Sequence, residues 1–143
     1  MATVGPTSAY YQQLLGELAT AVEALDATDY ARVTGDRWRV LRTGVGTDPR
    51  HLTAAILPGG PVERRGTVLH LGIAVQWWAQ LDGADALRDV ARVLAASHAL
   101  HTLLRTWGGT QGERIIDVAA QEPERGTGWA QYTYTGTLLV PLP

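Results

Sequence analysis

The sequence contains no cysteine, no lysine and no phenylalanine. Without cysteine there is no disulfide framework, no thiolate nucleophile and no Cys-ligated zinc, and the redox compartment cannot be read from thiol usage. All twelve basic residues are arginine, while tryptophan and tyrosine are plentiful. This pattern reads as the coding bias of a GC-rich genome rather than as selection for bidentate anion recognition, the other meaning of an arginine-for-lysine preference. No apolar run approaches the roughly 18 residues of a membrane span. The opening residues Met1-Ala2-Thr3-Val4-Gly5-Pro6 lack the basic and apolar regions of a signal peptide. The expectation is a soluble protein that does not use the usual secretory route. Excess base is missing too: a formal charge of -2 and a pI near 6.0 argue against holding nucleic acid by neutralising phosphates.

What is present is a core-forming composition in a chain of one-domain length. With 143 residues, 45% of them hydrophobic, we expect a single domain over 1–143. Its clearest element is residues 67–79, where Leu69, Leu71, Ile73, Val75 and Trp77 alternate with Val68, His70, Gly72, Ala74 and Gln76. Alternation of period two marks a β-strand with one buried face. Full burial of those five side chains contributes roughly 1.5–3 kcal/mol each, so this strand is expected at the centre of a sheet.

Two amphipathic helices are expected to cover that sheet. In the first, capped by Ser8, the residues Tyr11, Leu14, Leu18, Val22 and Leu25 recur at spacings of three and four, with Gln12, Gln13, Glu17 and Glu23 off the stripe. The second, over about 84–104, has candidate caps in Asp82 and Asp85. Its wide apolar face comprises Leu87, Val90, Ala91, Leu94, Leu100 and Leu104, so the helix reads as well buried, and Gly108 and Gly109 stop it.

Shorter strands complete the pattern. Residues 26–36 read as a connection and 37–43 as a strand with Trp38 and Val40 on one face, followed by a turn or loop at 44–49. Residues 51–57 form a second strand, closed by Pro58-Gly59-Gly60-Pro61, a segment expected not to sit inside a central strand. A loop through Glu63-Arg64-Arg65-Gly66 then makes a hairpin whose tip projects. Residues 113–121 and 129–140 form a second hairpin across a 122–128 turn, and Pro141 and Pro143 block further pairing. The fold class is therefore α+β: a mixed or antiparallel sheet of about five strands, two main helices packed on it, and a projecting β-hairpin loop.

No constellation for chemistry stands out. His98 and His101, three apart on the second helix, with His51 or His70 arriving from a strand, are the only candidate metal set; HExxH is absent, and hydrogen-bonded histidines bordering the core are the simpler reading. Ser97, His98 and Asp85 or Asp89 share one helix, which cannot fold them into a hydrolase relay. Asp82 with Asp85, and Glu122 with Glu124, sit in a cap and a turn, where acids serve local structure. Pro58-Gly59-Gly60-Pro61 has no following lysine and opens no helix, so it is not a phosphate loop. We assign no catalytic, cofactor or metal residue. Tryptophans at element ends, Trp78, Trp107 and Trp129, are candidate interface residues. Arg64 and Arg65 of the hairpin loop, with Glu63, and Arg125 of the 122–128 turn are candidate contacts with a neighbouring subunit.

The chain resembles the tail terminator proteins of long-tailed bacteriophages, small neck or tail-completion subunits. The resemblance covers almost the whole chain. It rests on size, on an N-terminal helix opening Tyr10-Tyr11-Gln12-Gln13-Leu14-Leu15, on the hairpin before Thr67-Val68-Leu69-His70-Leu71, on the helix over 84–104 and on the closing pair 113–121 and 129–140. It implies a virion structural protein, made in the host bacterial cytoplasm. The expected assembly is a homo-oligomeric ring of about six subunits, each presenting two different patches to its neighbours. Such a ring caps the head-proximal end of the tail tube, stops its polymerisation and docks a head-completion or connector protein. DNA passes through its lumen without sequence-specific binding, and mild acidity suits that passage. Residues 58–66 and 122–128 are the expected contacts. The alternatives are another neck, head-closure or tail tube subunit, or, in a different class, a small ligand-binding or metal-dependent α+β enzyme with a pocket near His70, His98 and Trp107.

Overall fold

The computed structural model describes residues 7–42 and 50–142. The turn expected at 44–49, Thr43 at the end of the first expected strand, and Pro143 lie outside them. The element order is helix α1 (Ser8–Glu23), strands β1 (Arg39–Val40), β2 (Thr53–Arg65) and β3 (Val68–Gln80), helix α2 (Ala86–Thr106), and strands β4 (Arg114–Ala120), β5 (Glu124–Gly126) and β6 (Trp129–Pro141). The six strands form one sheet in the order β1-β2-β3-β6-β4, with β5 paired to the start of β6. Only β1 and β2 run parallel, so the sheet is mixed and the α+β class holds. The long alternating strand is central, with β2 on one side and β6 on the other.

Both helices pack on one face. Leu14, Leu18 and Val22 of α1 and Val93, Ala96, Leu100 and Leu104 of α2 share a core with Ile73, Val75, Trp77 and Ala79 of β3 and with Tyr134, Leu138 and Val140 of β6. Its aromatic spine runs from Tyr30 through Trp38 and Trp77 to Tyr132, with successive ring centroids 6.2, 5.3 and 4.8 Å apart. Tyr30 comes from the connection after α1, so these rings fasten that irregular segment to the centre of the sheet. The Trp38 indole N–H donates to the Tyr30 hydroxyl at 2.9 Å, satisfying the buried polar atoms of both.

Several expectations need correction. The first helix is capped by Thr7, whose hydroxyl accepts from the Tyr10 amide, one residue before the expected Ser8. The first strand shrinks to Arg39–Val40. Of the five alternating residues on β3, only Ile73, Val75 and Trp77 are buried; Leu69 and Leu71 are half-buried, packed against the border of the core. Residues 124–126, expected in a turn, pair with β6, and Pro141 is its last paired residue.

The larger correction concerns Pro58-Gly59-Gly60-Pro61, which lies inside β2. Among the described residues β1 pairs only with Thr53 and Ala54, so beyond them β2 has no described partner on that edge, where a missing proline N–H breaks no ladder bond of the β2–β3 pair. The β2–β3 register slips between Pro58 and Val62, placing a bulge there. Backbones close in at that bulge: a β-carbon on Gly59 would come within 3.0 Å of the Ile73 backbone, and one on Gly72 within 3.0 Å of Gly60. The strands then resume to a two-residue turn at Gly66-Thr67, with Gly66 at φ +63°. The expected loop is thus a paired, projecting arm.

The second helix also differs. Its buried stripe is Asp89, Val93, Ala96, Leu100 and Leu104, while Leu87, Val90 and Leu94 are 84%, 55% and 64% exposed. At 100° per residue, Leu94 lies about 200° from Ala96, on the opposite side of the helix. The sequence carries two apolar stripes of different phase, and Asp89 disguises the one that faces the core.

Candidate functional site

Three surfaces follow from this architecture. The first is the β2–β3 arm, where residues 58–67 are exposed and Val62 is 72% exposed. Half-buried Leu69 and Leu71 sit across from it on the helix side of the sheet, with Val62 directly opposite Leu71. The second is the outward stripe of α2: Leu87, Val90 and Leu94, with exposed Ala91 between them. These two surfaces lie at opposite ends of the molecule. β3 runs from the arm to Gln80, and α2 begins six residues later. The nine residue steps from Leu71 to Gln80 span roughly 30 Å at the rise of a strand.

The third surface is the sheet face opposite the helices. It carries Gln76, Trp78, Gln131, Thr133, Thr135 and Thr137, all half-buried. Its buried members, Thr53, Ala55, Ala74 and Leu139, belong to no part of the helix-side core.

The expected contact residues separate on inspection. Arg64 and Arg65 are on the arm, where Arg64 Nε donates to Gly66 O at 3.0 Å and Arg65 pairs with Glu63 at 3.1 Å. That bond holds the Glu63 carboxyl below its ordinary range. Trp78 is half-buried on the open sheet face, its indole N–H donating to Gln131 Oε1 at 3.1 Å. Arg125 is exposed on β5, and the half-buried Trp129 lays its indole over Gly126, where a β-carbon would meet the ring. Trp107 is the correction: it is 8% exposed and belongs to the core, so it offers no contact surface.

The histidines do not assemble either. His98 is exposed, whereas His101 stands 5.4 Å from the Tyr134 ring. His70 lies on the sheet face away from α2, because it alternates with core-facing Leu69 and Leu71. The pocket imagined among His70, His98 and Trp107 therefore does not form. Ser97 Oγ is hydrogen-bonded to the Tyr134 hydroxyl rather than to His98. Among the described residues no group of three His, Asp or Glu side chains is placed to hold a metal ion.

His51 has a structural role. Its Nδ1 accepts from the Gln80 amide at 3.2 Å, which leaves Nε2–H to donate to Tyr30 O at 3.1 Å. The neutral imidazole thus bridges the end of β3 to the connection after α1, and burial lowers its pKa. Leu52, fully buried beside it, adopts the left-handed region at φ 58°, a costly conformation that turns residues 50–53 into β2.

Two buried acids have structural roles that the sequence does not reveal, Asp89 entering it only as a member of an excluded relay. Asp89 accepts from the Asp82 and Gly83 amides at 3.1 and 2.9 Å, and the Gly83 bond leads in lowering its pKa. It fastens the β3–α2 loop, while Asp85 caps α2 through the Arg88 amide. Glu113, 2% exposed, accepts from Tyr10 Oη at 3.0 Å and from the Gln111 amide at 2.6 Å. A polar residue on an otherwise apolar helix stripe was the one available signal for Asp89; Glu113 left none.

No helix among the described residues is long and apolar enough to cross a membrane. The chain matches no protein-family model, and no curated protein is significantly similar to it.

Proposed function

We propose that this chain is a virion structural subunit, a tail terminator that closes head to tail into a ring on the head-proximal end of a phage tail tube. The observation that carries the reading is the pair of separate apolar surfaces, the β2–β3 arm around Val62 and the α2 stripe of Leu87, Val90 and Leu94. A two-fold dimer uses one self-complementary patch twice, whereas a ring needs two different patches that complement each other. This small domain exposes two, at opposite ends. The element order that resembles the terminator family, with its projecting hairpin, supports the same reading.

In this reading the arm of one subunit lies on α2 of the next, burying Val62 against Leu87, Val90 and Leu94. Arg64, Arg65, Arg125 and Trp129 border the contacts, and the ring passes DNA through its opening. Tail tube and head-completion proteins are its partners on the two faces.

The test is complementation between two assembly-defective variants. Deletion of residues 59–65 removes the arm, and Leu94→Asp charges the stripe. Each variant alone should be monomeric, and an equimolar mixture should form one-to-one dimers and no larger species, because each partner retains one intact patch. Added to polymerised tail tubes, wild-type protein should appear as a cap at one tube end by negative-stain microscopy. Mixtures that stay monomeric, or tubes left uncapped, would remove the reading.

A further inference from the structure

The net charge of -2 conceals a local excess of base. Five of the twelve arginines lie between residues 32 and 50, against two aspartates. Four of them line a single recess of about 250 Å³: Arg32 and Arg37 from the connection, Arg39 from β1 and Arg50 from the turn into β2.

The negative charge in this recess is already engaged. Asp36 is the only acid among the described residues that line it, and Asp36 Oδ2 accepts from the Arg32 and Val33 amides, both at 2.9 Å. This carboxylate holds a backbone turn rather than a guanidinium. His51, on the wall, contributes no positive charge, since its two ring nitrogens are both used and burial favours its neutral form. The Arg32 guanidinium is anchored to the Gln80 side chain. Arg37, Arg39 and Arg50 form no ion pair with another described residue, unlike Arg42, Arg65 and Arg88.

The rigid parts of the fold set this arrangement. The Trp38 ring between Arg37 and Arg39 is fully buried against Trp77, so the two arginines flanking it are held outward. Arg39 N–H donates to Leu52 O at 2.9 Å, tying β1 to the turn that carries Arg50. The His51 bridge fixes the same turn to β3. Four like charges held together by a packed core repel one another, and an anion between them relieves that repulsion. The planar guanidinium fork matches the oxygens of a phosphate group.

We propose that this recess is a phosphate-binding site, in which Arg37, Arg39 and Arg50, with Arg32 behind them, take up a phosphate group that is either free or part of a nucleic-acid backbone. The site is separate from the arm and from the α2 stripe, and it does not depend on ring formation.

The experiment is calorimetric titration at low ionic strength with inorganic pyrophosphate, and with a thymidine oligonucleotide with and without a 5′-phosphate. Pyrophosphate should bind saturably, one per chain, and more weakly as salt rises. The Arg39→Gln, Arg50→Gln double variant should lose about tenfold or more in affinity with an unchanged melting temperature, since both side chains are exposed. Arg37→Gln alone provides a second, independent loss. Arg105→Gln, at an exposed arginine in the last turn of α2, should bind as wild type. An oligonucleotide that binds equally without its terminal phosphate identifies the backbone as the source; binding confined to pyrophosphate and the 5′-phosphorylated strand identifies a free or terminal phosphate. Titrations that do not saturate, or equal affinity in the Arg39/Arg50 double variant, would overturn the proposal.

Discussion

The hydroxyl of Tyr10, in the first turns of α1, donates a 3.0 Å hydrogen bond to Glu113, the buried residue that leads into β4. The bond joins residues 103 apart and closes the N-terminal helix onto the far edge strand. Removing the carboxylate deprives the half-buried Tyr10 hydroxyl and the Gln111 amide of their acceptor and empties the buried Glu113 position. Glu113→Ala should therefore cost about 2–3 kcal/mol, and Tyr10→Phe about 1 kcal/mol. Urea unfolding of the two single variants and the double variant checks this: the double should cost less than the sum of the singles.

The same pair predicts an alkaline limit. Burial, then the bond to Glu113 and its charge, push the Tyr10 pKa up to about 12. A tyrosine whose folded pKa exceeds its unfolded value near 10 gives stability that is fully present below about pH 10 and is lost as pH rises towards 12. Thermal melts between pH 8 and 12 should show that loss in the wild type, with a shallower slope in Tyr10→Phe.

His51 predicts the opposite trend in acid. Its folded pKa is lowered, chiefly by burial, and a protonated Nδ1 can no longer accept from Gln80 N–H. The unfolded chain takes up this proton first, so the stability it provides is present above about pH 6.5 and falls as pH drops below that value. His51→Ala should flatten the melting temperature between pH 7 and 5 while lowering it at pH 7.

The two apolar sets on β3 and α2 predict opposite phenotypes for the same chemical change. Ile73 faces the core, so Ile73→Asp buries a charge and should unfold the domain. Leu94 is 64% exposed, so Leu94→Asp should melt within about 0.5 kcal/mol of wild type. Circular dichroism melts of both variants test the two-stripe assignment: a destabilised Leu94→Asp would place that residue in the core instead.

Much of this fold was legible. β3 was readable because alternation of period two over a dozen residues has no helical counterpart, and α1 because its stripe is unbroken. The phase of α2 was not, because Leu87, Val90 and Leu94 outscore a core stripe that contains Asp89 and Ala96. Its exposed leucines therefore read as core, and the surface they form is not legible in the sequence. Pro58-Gly59-Gly60-Pro61 misled because proline forbids a strand only where its missing N–H faces a partner, and the shortness of β1 is a tertiary fact. Trp107 followed the same logic: its place at a helix end implied exposure, yet it packs into the core. The arginine recess gathers residues from the connection, β1 and the β2 turn, and composition averages that gathering away.

The measurement that bears most directly on the proposed assembly is native mass spectrometry of the wild-type protein across concentrations, with negative-stain images of any large species. Head-to-tail closure predicts a discrete oligomer of about six chains with a central hole and no open-ended series beyond it. A single monomeric mass at every concentration, or a dimer that goes no further, would contradict it.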